Sequence, residues 1–219
     1  MKKICYACIA SALLAFGMQA QAGLITIDGA SDVGNIYTIN YSLDVTGGTL
    51  TGLTEFTLKE FEPEQVVFEI YAKNTSTTGL DPIRFTSFAF DASPAVTSVS
   101  LKTTGDVFDG VTLKADQGNP TNAPLSLDIC VFAGSSCASG SVGLLEGQDD
   151  TLKLAIGGDF SNGLVLSDFL ARFTGELGSH KVPPANGGTP VPEPGVLGLL
   201  GLGLAGLGLA ARRRHKRIG

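Results

Sequence analysis

Val66-Val67-Phe68-Glu69-Ile70-Tyr71-Ala72-Lys73 is the stretch that decides the fold. Val66, Phe68, Ile70 and Ala72 form a wholly apolar row, and Val67, Glu69, Tyr71 and Lys73 form a mixed one. Alternation with period two sends successive side chains to opposite faces, so this segment reads as a half-buried strand. The same pattern recurs upstream in Ile36–Val45. There Ile36, Thr38, Asn40 and Ser42 fall on one side, and Tyr37, Ile39, Tyr41 and Leu43 on the other. It recurs downstream, where Leu152, Leu154 and Ile156 alternate with Thr151, Lys153 and Ala155. Leu24–Ile27, Leu50–Phe61, Ile83–Asp91, Val96–Lys102, Val107–Leu113, Leu125–Ala133 and Asp168–Phe173 are further strand candidates, rich in β-branched and aromatic residues. Turn chemistry separates them: Gly47-Gly48, Asn74 to Gly79, Asp109-Gly110, Gly118-Asn119-Pro120, Gly157-Gly158 and Ser161-Asn162-Gly163. No helical period extends over three turns. About ten short strands with polar turns predict an all-β, antiparallel two-sheet sandwich, jelly-roll-like.

Segments of another character flank this domain. Residues 1–22 read as a secretory signal peptide. Lys2-Lys3 is the charged start, Ile4 to Phe16 the apolar run, and Ala20-Gln21-Ala22 a small-residue cleavage site, with Gly23 as the first mature residue. Signal peptidase is therefore an expected partner, Sec the expected route, and Cys5 and Cys8 are lost with the peptide. Residues 23–178 form the sandwich. Residues 179–190, rich in Pro and Gly without apolar periodicity, read as a mobile linker.

Residues 191–219 combine three kinds of chemistry. Pro192-Glu193-Pro194 is extended chain that lacks two backbone donors. Gly195 to Ala211 holds seven Leu, six Gly, three Ala and one Val, with no polar side chain. As a helix it reaches roughly 26 Å, just short of a bilayer core of about 30 Å. Glycine costs about 1 kcal/mol against alanine in a water-exposed helix, but in lipid an unpaired backbone group costs more, so a single transmembrane helix is expected at 195–211. Arg212, Arg213, Arg214, Lys216 and Arg217, in the basic tail 212–217, then act as a cytoplasmic membrane stop.

This tripartite tail resembles the PEP-CTERM sorting signal of Gram-negative bacteria. That family has a Pro-Glu-Pro motif, a Gly/Leu-rich span and an Arg cluster, here Pro192-Glu193-Pro194, Gly195–Ala211 and Arg212–Arg217. The resemblance implies an exosortase as partner, a membrane protease-transpeptidase that cuts near the motif. It implies an inner-membrane precursor with a periplasmic domain, then release to the cell surface or outside. A second, broader likeness lies in the Cys130–Cys137 loop with Gly140, the Gly143-Leu144-Leu145-Glu146-Gly147 turn and the Phe160 and Phe169 strands. These resemble a recurring cargo domain of PEP-CTERM proteins, the cistern group.

Charge narrows the partners. The whole chain carries a net −6, but residues 23–189 hold 8 Lys/Arg against 20 Asp/Glu, a net of −12. Such a domain repels nucleic acid and anionic lipid and suits hydrated polysaccharide or divalent cations. Cys130 and Cys137 are the mature cysteines, with six residues between them. In an oxidising compartment they are expected to form a disulfide. No histidine is near enough to make a zinc set with them.

Carboxylates are plentiful. Asp106, Asp109, Asp149 and Asp150 stand at loop tips as calcium candidates, although neither pair fits the twelve-residue calcium loop, and solvated turn acids are the simpler expectation. Paired acids also serve glycosidases at about 5–9.5 Å separation. The chain has no Trp, however, so no sugar platform is evident. His180 is the mature domain's sole histidine, and it falls in the linker, where no carboxylate orients it for a catalytic triad. No phosphate-cradling glycine loop precedes a helix. The expectation is a non-enzyme without cofactor: an exported structural or adhesive protein associated with biofilm or exopolysaccharide. The alternative is a secreted carbohydrate-binding module or glycan hydrolase acting on exopolysaccharide.

Overall fold

The computed structural model describes residues 23–77, 82–116, 126–138, 140–176 and 178–185. The signal peptide, the transmembrane span and the sorting motif lie outside these residues. Eleven strands follow in order: β1 (Ile25–Ile27), β2 (Ile36–Val45), β3 (Gly48–Glu62), β4 (Gln65–Asn74), β5 (Arg84–Ser93), β6 (Val96–Thr103), β7 (Phe108–Asp116), β8 (Ser126–Ala133), β9 (Asp149–Gly158), β10 (Leu164–Gly175) and β11 (Gly178–Val182). A single 3-10 turn, Ala30–Asp32, is the helical element among the described residues.

The strands form two antiparallel sheets. One runs β1-β10-β5-β8-β7, with β11 also paired to β10, and the other runs β2-β3-β4-β9-β6. The pairs β1·β10, β4·β9 and β5·β8 are nested, each enclosing the next in sequence. Nesting is what rolling up one long hairpin produces, so the jelly-roll expectation holds. The β2–β3 hairpin is an addition, inserted between β1 and β4 at the edge of the second sheet. Its turn is two residues long, and Gly47 takes φ 101°, a left-handed conformation that glycine adopts without strain.

The two sheets face each other through the apolar rows read from the sequence. Val66, Phe68, Ile70 and Ala72 are buried, as are Leu152, Leu154 and Ile156. Phe56 stands at the centre and meets Phe68, Phe88, Phe90 and Phe169 edge to face at 5.5–6.3 Å between ring centroids. Phe85 stacks on Phe173 at 4.9 Å. Such pairs add about 0.5–1.5 kcal/mol each beyond burial. Phenylalanine thus supplies the bulk that tryptophan would otherwise give.

The linker expectation is corrected at its start. Gly178–Val182 is a strand whose register on β10 runs from Gly175↔Gly178 to Ala171↔Val182. The chain then crosses to the other sheet, where Pro184 bridges Tyr41 and the Ala185 N–H donates to the Asn40 carbonyl at 2.7 Å. The physical reason is a free edge. β1 covers only the Leu164–Leu166 part of β10, and β11 fills the rest. His180 therefore belongs to the sandwich, opposite Phe173, and not to a tether.

Candidate functional site

The calcium candidates do not gather into one site. Asp150 occupies an inward position of β9, and its residue is 7% exposed. Its carboxylate accepts N–H groups from Asp106 (2.9 Å), Val107 (2.9 Å), Phe108 (2.7 Å) and Thr151 (2.9 Å). Those bonds draw the β6–β7 loop against β9. Gly105 lies so close that a Cβ there would collide with the carboxylate. A carboxylate with four N–H donors is satisfied as an anion and has little left for a cation. Asp109 Oδ1 accepts the Gly134 N–H at 3.2 Å, which ties β7 to the cysteine loop. Asp149, opposite Lys73, hydrogen-bonds Tyr71 and raises the phenol's pKa after the larger effect of desolvation. Among the described residues no three His, Cys, Asp or Glu side chains come together as metal ligands.

Cys130 and Cys137 are joined as a disulfide, with their Cα atoms 6.4 Å apart. The bond sits in a small apolar cluster with Ala89, Leu127 and Leu170, outside the main core. The Cys137 carbonyl accepts from Ser87 Oγ at 3.2 Å and Arg172 Nη1 at 3.3 Å, and Arg172 Nε donates to Ser179 Oγ at 2.7 Å. Arg172 thereby links the cysteine loop, β10 and β11. Burial lowers its pKa from the usual arginine value.

A second acidic group escaped sequence reasoning. Asp91 on β5 and Asp128 on β8 exchange contacts: the Asp128 N–H donates to Asp91 Oδ1 at 2.8 Å, and the Ala92 N–H donates to Asp128 Oδ2 at 3.2 Å. Desolvation raises the Asp91 pKa from the ordinary aspartate value, and the charges of Asp128 and Asp168 add to the rise. Asp168 sits on a bulge in β10, between Ser167↔Asp91 and Leu170↔Ala89. Its φ of 51° is left-handed, which aspartate tolerates better than most residues. The bulge drives Phe169 into the core against Phe56 and Phe90. Asp168 also lines a cavity of about 320 Å³ with Gly23, Leu127, Phe169, Leu170, Pro183 and Pro184. The signal was present in sequence only as a broken alternation at Ser167-Asp168-Phe169.

The residues singled out for sorting, Pro192, Glu193 and Pro194 and the basic cluster Arg212, Arg213, Arg214, Lys216 and Arg217, lie outside the described residues. So do Ala20 and Ala22, while Gly23 is the first described residue. Among the described residues no helix is long and apolar enough to cross a membrane.

Fold and sequence together define a class: a two-sheet β-sandwich followed by a C-terminal targeting segment. The segment is a particular one. Residues 190–214 match the family model described as the PEP-CTERM protein-sorting motif. The match indicates an exosortase-sorted extracellular protein, exported and membrane-anchored before exosortase cleavage. It covers the tail and not the sandwich, so the likeness to the cistern group gains no support from it. No curated protein and no solved structure matches the chain.

Proposed function

We infer that the sandwich is cargo with a structural or adhesive role at the cell surface or in an extracellular matrix, and that it is not an enzyme. The observation that carries this reading is the sorting motif at 190–214 behind a compact acidic domain. Signal peptidase removes residues 1–22, Gly195 to Ala211 holds the precursor in the inner membrane, and an exosortase cuts near Pro192-Glu193-Pro194. A cut there leaves β11 and the Pro184 bridge within the released domain. The net −12 of residues 23–189 keeps the product soluble and hydrated among exopolysaccharide. Converting Pro192, Glu193 and Pro194 to alanine tests the reading. Full-length precursor should accumulate in the inner membrane while the sandwich keeps its thermal midpoint. A variant still shortened and released as efficiently as the natural chain would overturn it.

One observation favours a second reading, glycan binding or hydrolysis: the Asp168 carboxylate on a cavity wall, with its charge and that of Asp128 acting on Asp91. Against it, Asp91 and Asp128 each accept a backbone N–H of the neighbouring strand, an anchoring role. Glycan-array binding that is lost in Asp168→Asn would move the balance to that reading.

A further inference from the structure

Signal-peptide removal is a hydrolysis with a product inside the fold. Water's hydroxyl goes to the Ala22 carbonyl carbon and the C–N bond to Gly23 breaks. At neutral pH both the remaining proton of water and that of the new acid end on the Gly23 nitrogen, giving a carboxylate and an α-ammonium. Gly23 is half-buried. A Cβ on it would lie 3.6 Å from the Pro184 ring, and it forms part of the cavity wall that includes Asp168. The strand register agrees. β1 pairs with β10 as Ile25↔Leu166 and Ile27↔Leu164, so the ladder ends two residues short of Gly23 on one strand and two residues short of the bulged Asp168 on the other. Asp168 lies at this corner, Asp91 stands opposite the preceding Ser167, and Asp128 neighbours Asp91 on β8. Glu69, by contrast, has its counter-ions in the Lys59 and Lys153 ammonium groups.

We propose that the α-ammonium created at Gly23 by signal-peptide cleavage is the counter-ion of Asp168 and its neighbours Asp91 and Asp128, so that maturation itself locks the β1–β10 corner. This rests on the reading of the cleavage site between Ala22 and Gly23. In the precursor the same nitrogen is a neutral amide and the acids repel one another. After cleavage a positive charge shares the cavity wall with the exposed Asp168 carboxylate, with Asp91 and Asp128 on the neighbouring strands β5 and β8, and the attraction acts within about a Debye length. The left-handed conformation at Asp168 leaves this residue on the cavity wall while Phe169 enters the core.

The sign of the pH dependence follows. A free α-amine titrates at about 7.7–8.0. Facing Asp168, Asp91 and Asp128, it should titrate higher. Its contribution to stability is then complete below about pH 7.7 and is lost as pH rises through the raised value.

The test uses the exported, processed chain. Intact mass first fixes the N-terminus. Acetylating the α-amine selectively near pH 6.5 should lower the thermal midpoint by about 2–4 °C. The same acetylation should do nothing in Asp168→Asn, which keeps a side chain suited to left-handed backbone. Independently of stability, the pH profile of α-amine reactivity should have its midpoint above about 8 in the natural chain and return toward about 7.8 in Asp168→Asn. A Gly23 start with an unshifted reactivity profile overturns the pairing alone. A start at another residue overturns both the pairing and the assigned cleavage site.

Discussion

Asp150 on β9 and Asp168 on β10 are both aspartates on interior strands of the sandwich, and they stand in opposite conditions. Asp150 is buried with ordinary strand backbone, and four N–H groups of its own chain fill its carboxylate. Asp168 has left-handed backbone, accepts from Ser167 Oγ at 3.0 Å, and borders a cavity. A saturated carboxylate is a cross-link. An exposed one on left-handed backbone keeps acceptor capacity for solvent or a ligand. Counting acids along a sequence cannot separate these two cases, and hydrogen-bond bookkeeping can.

The largest expected effect tests the cross-link. Asp150→Ala strands the buried N–H of Phe108 and the part-buried N–H of Val107, and should lower stability by about 3–5 kcal/mol in urea unfolding. Asp150→Asn keeps one acceptor oxygen and should fall between. Normal stability in Asp150→Ala would erase the contrast. The disulfide provides a scale for that loss. Cys130→Ser should remove about 2–3 kcal/mol, and the reduced natural chain should match it. If losing the carboxylate costs less than losing the covalent bond, Asp150 is a minor tie.

Two smaller effects sharpen the Asp168 side. Asp168→Gly and Asp168→Ala both discard the carboxylate, but only glycine sits freely at φ 51°. The glycine variant should be the more stable by about 1–2 kcal/mol in chemical denaturation. Equal stabilities would mean that the bulge relaxes. The smallest effect concerns charge. Asp91 holds its proton more tightly in the folded chain than an ordinary aspartate, so folding is disfavoured by its ionisation. As pH falls from neutral through its raised pKa, this penalty disappears and the group's contribution improves. In the uncleaved chain, where the Gly23 nitrogen is a neutral amide, Asp91→Asn should therefore raise the thermal midpoint by about a degree at pH 7 and by nothing near pH 3. Glu69 has the opposite sign. The Lys59 and Lys153 ammonium groups lower its pKa, so its small surface contribution is lost as pH falls.

Much of the sandwich was legible because each strand satisfies its own alternation. Ile36–Val45 is β2 to the residue, and the row Val66, Phe68, Ile70, Ala72 is the buried face of β4. Legibility failed where a neighbour decides the structure. Ser179-His180-Lys181 has no apolar period, and only the vacant half of the β10 edge makes it a strand. Leu164 to Ser167 escaped because the bulge at Asp168-Phe169 shifts the phase of β10, and no single alternation spans it. Asp150 was readable in principle. Extending Leu152, Leu154 and Ile156 backward puts it on the inward row, where a charge needs compensation. The sorting tail is the reverse case. Its chemistry is plain from composition, since a bilayer and a protease read it without any fold.

The exit of the chain through β11 gives the domain a mechanical axis. Tension applied to the chain beyond Ala185 enters through the Asn40 contact and Pro184, then runs along β11. β11 lies antiparallel on β10 over five residue pairs. A force directed along the strand loads those backbone hydrogen bonds together, in shear. A force across the strand would part them one at a time, as a zipper. Because Pro184 and Ala185 hold the second sheet while β11 holds the first, a pull on this end draws both layers at once.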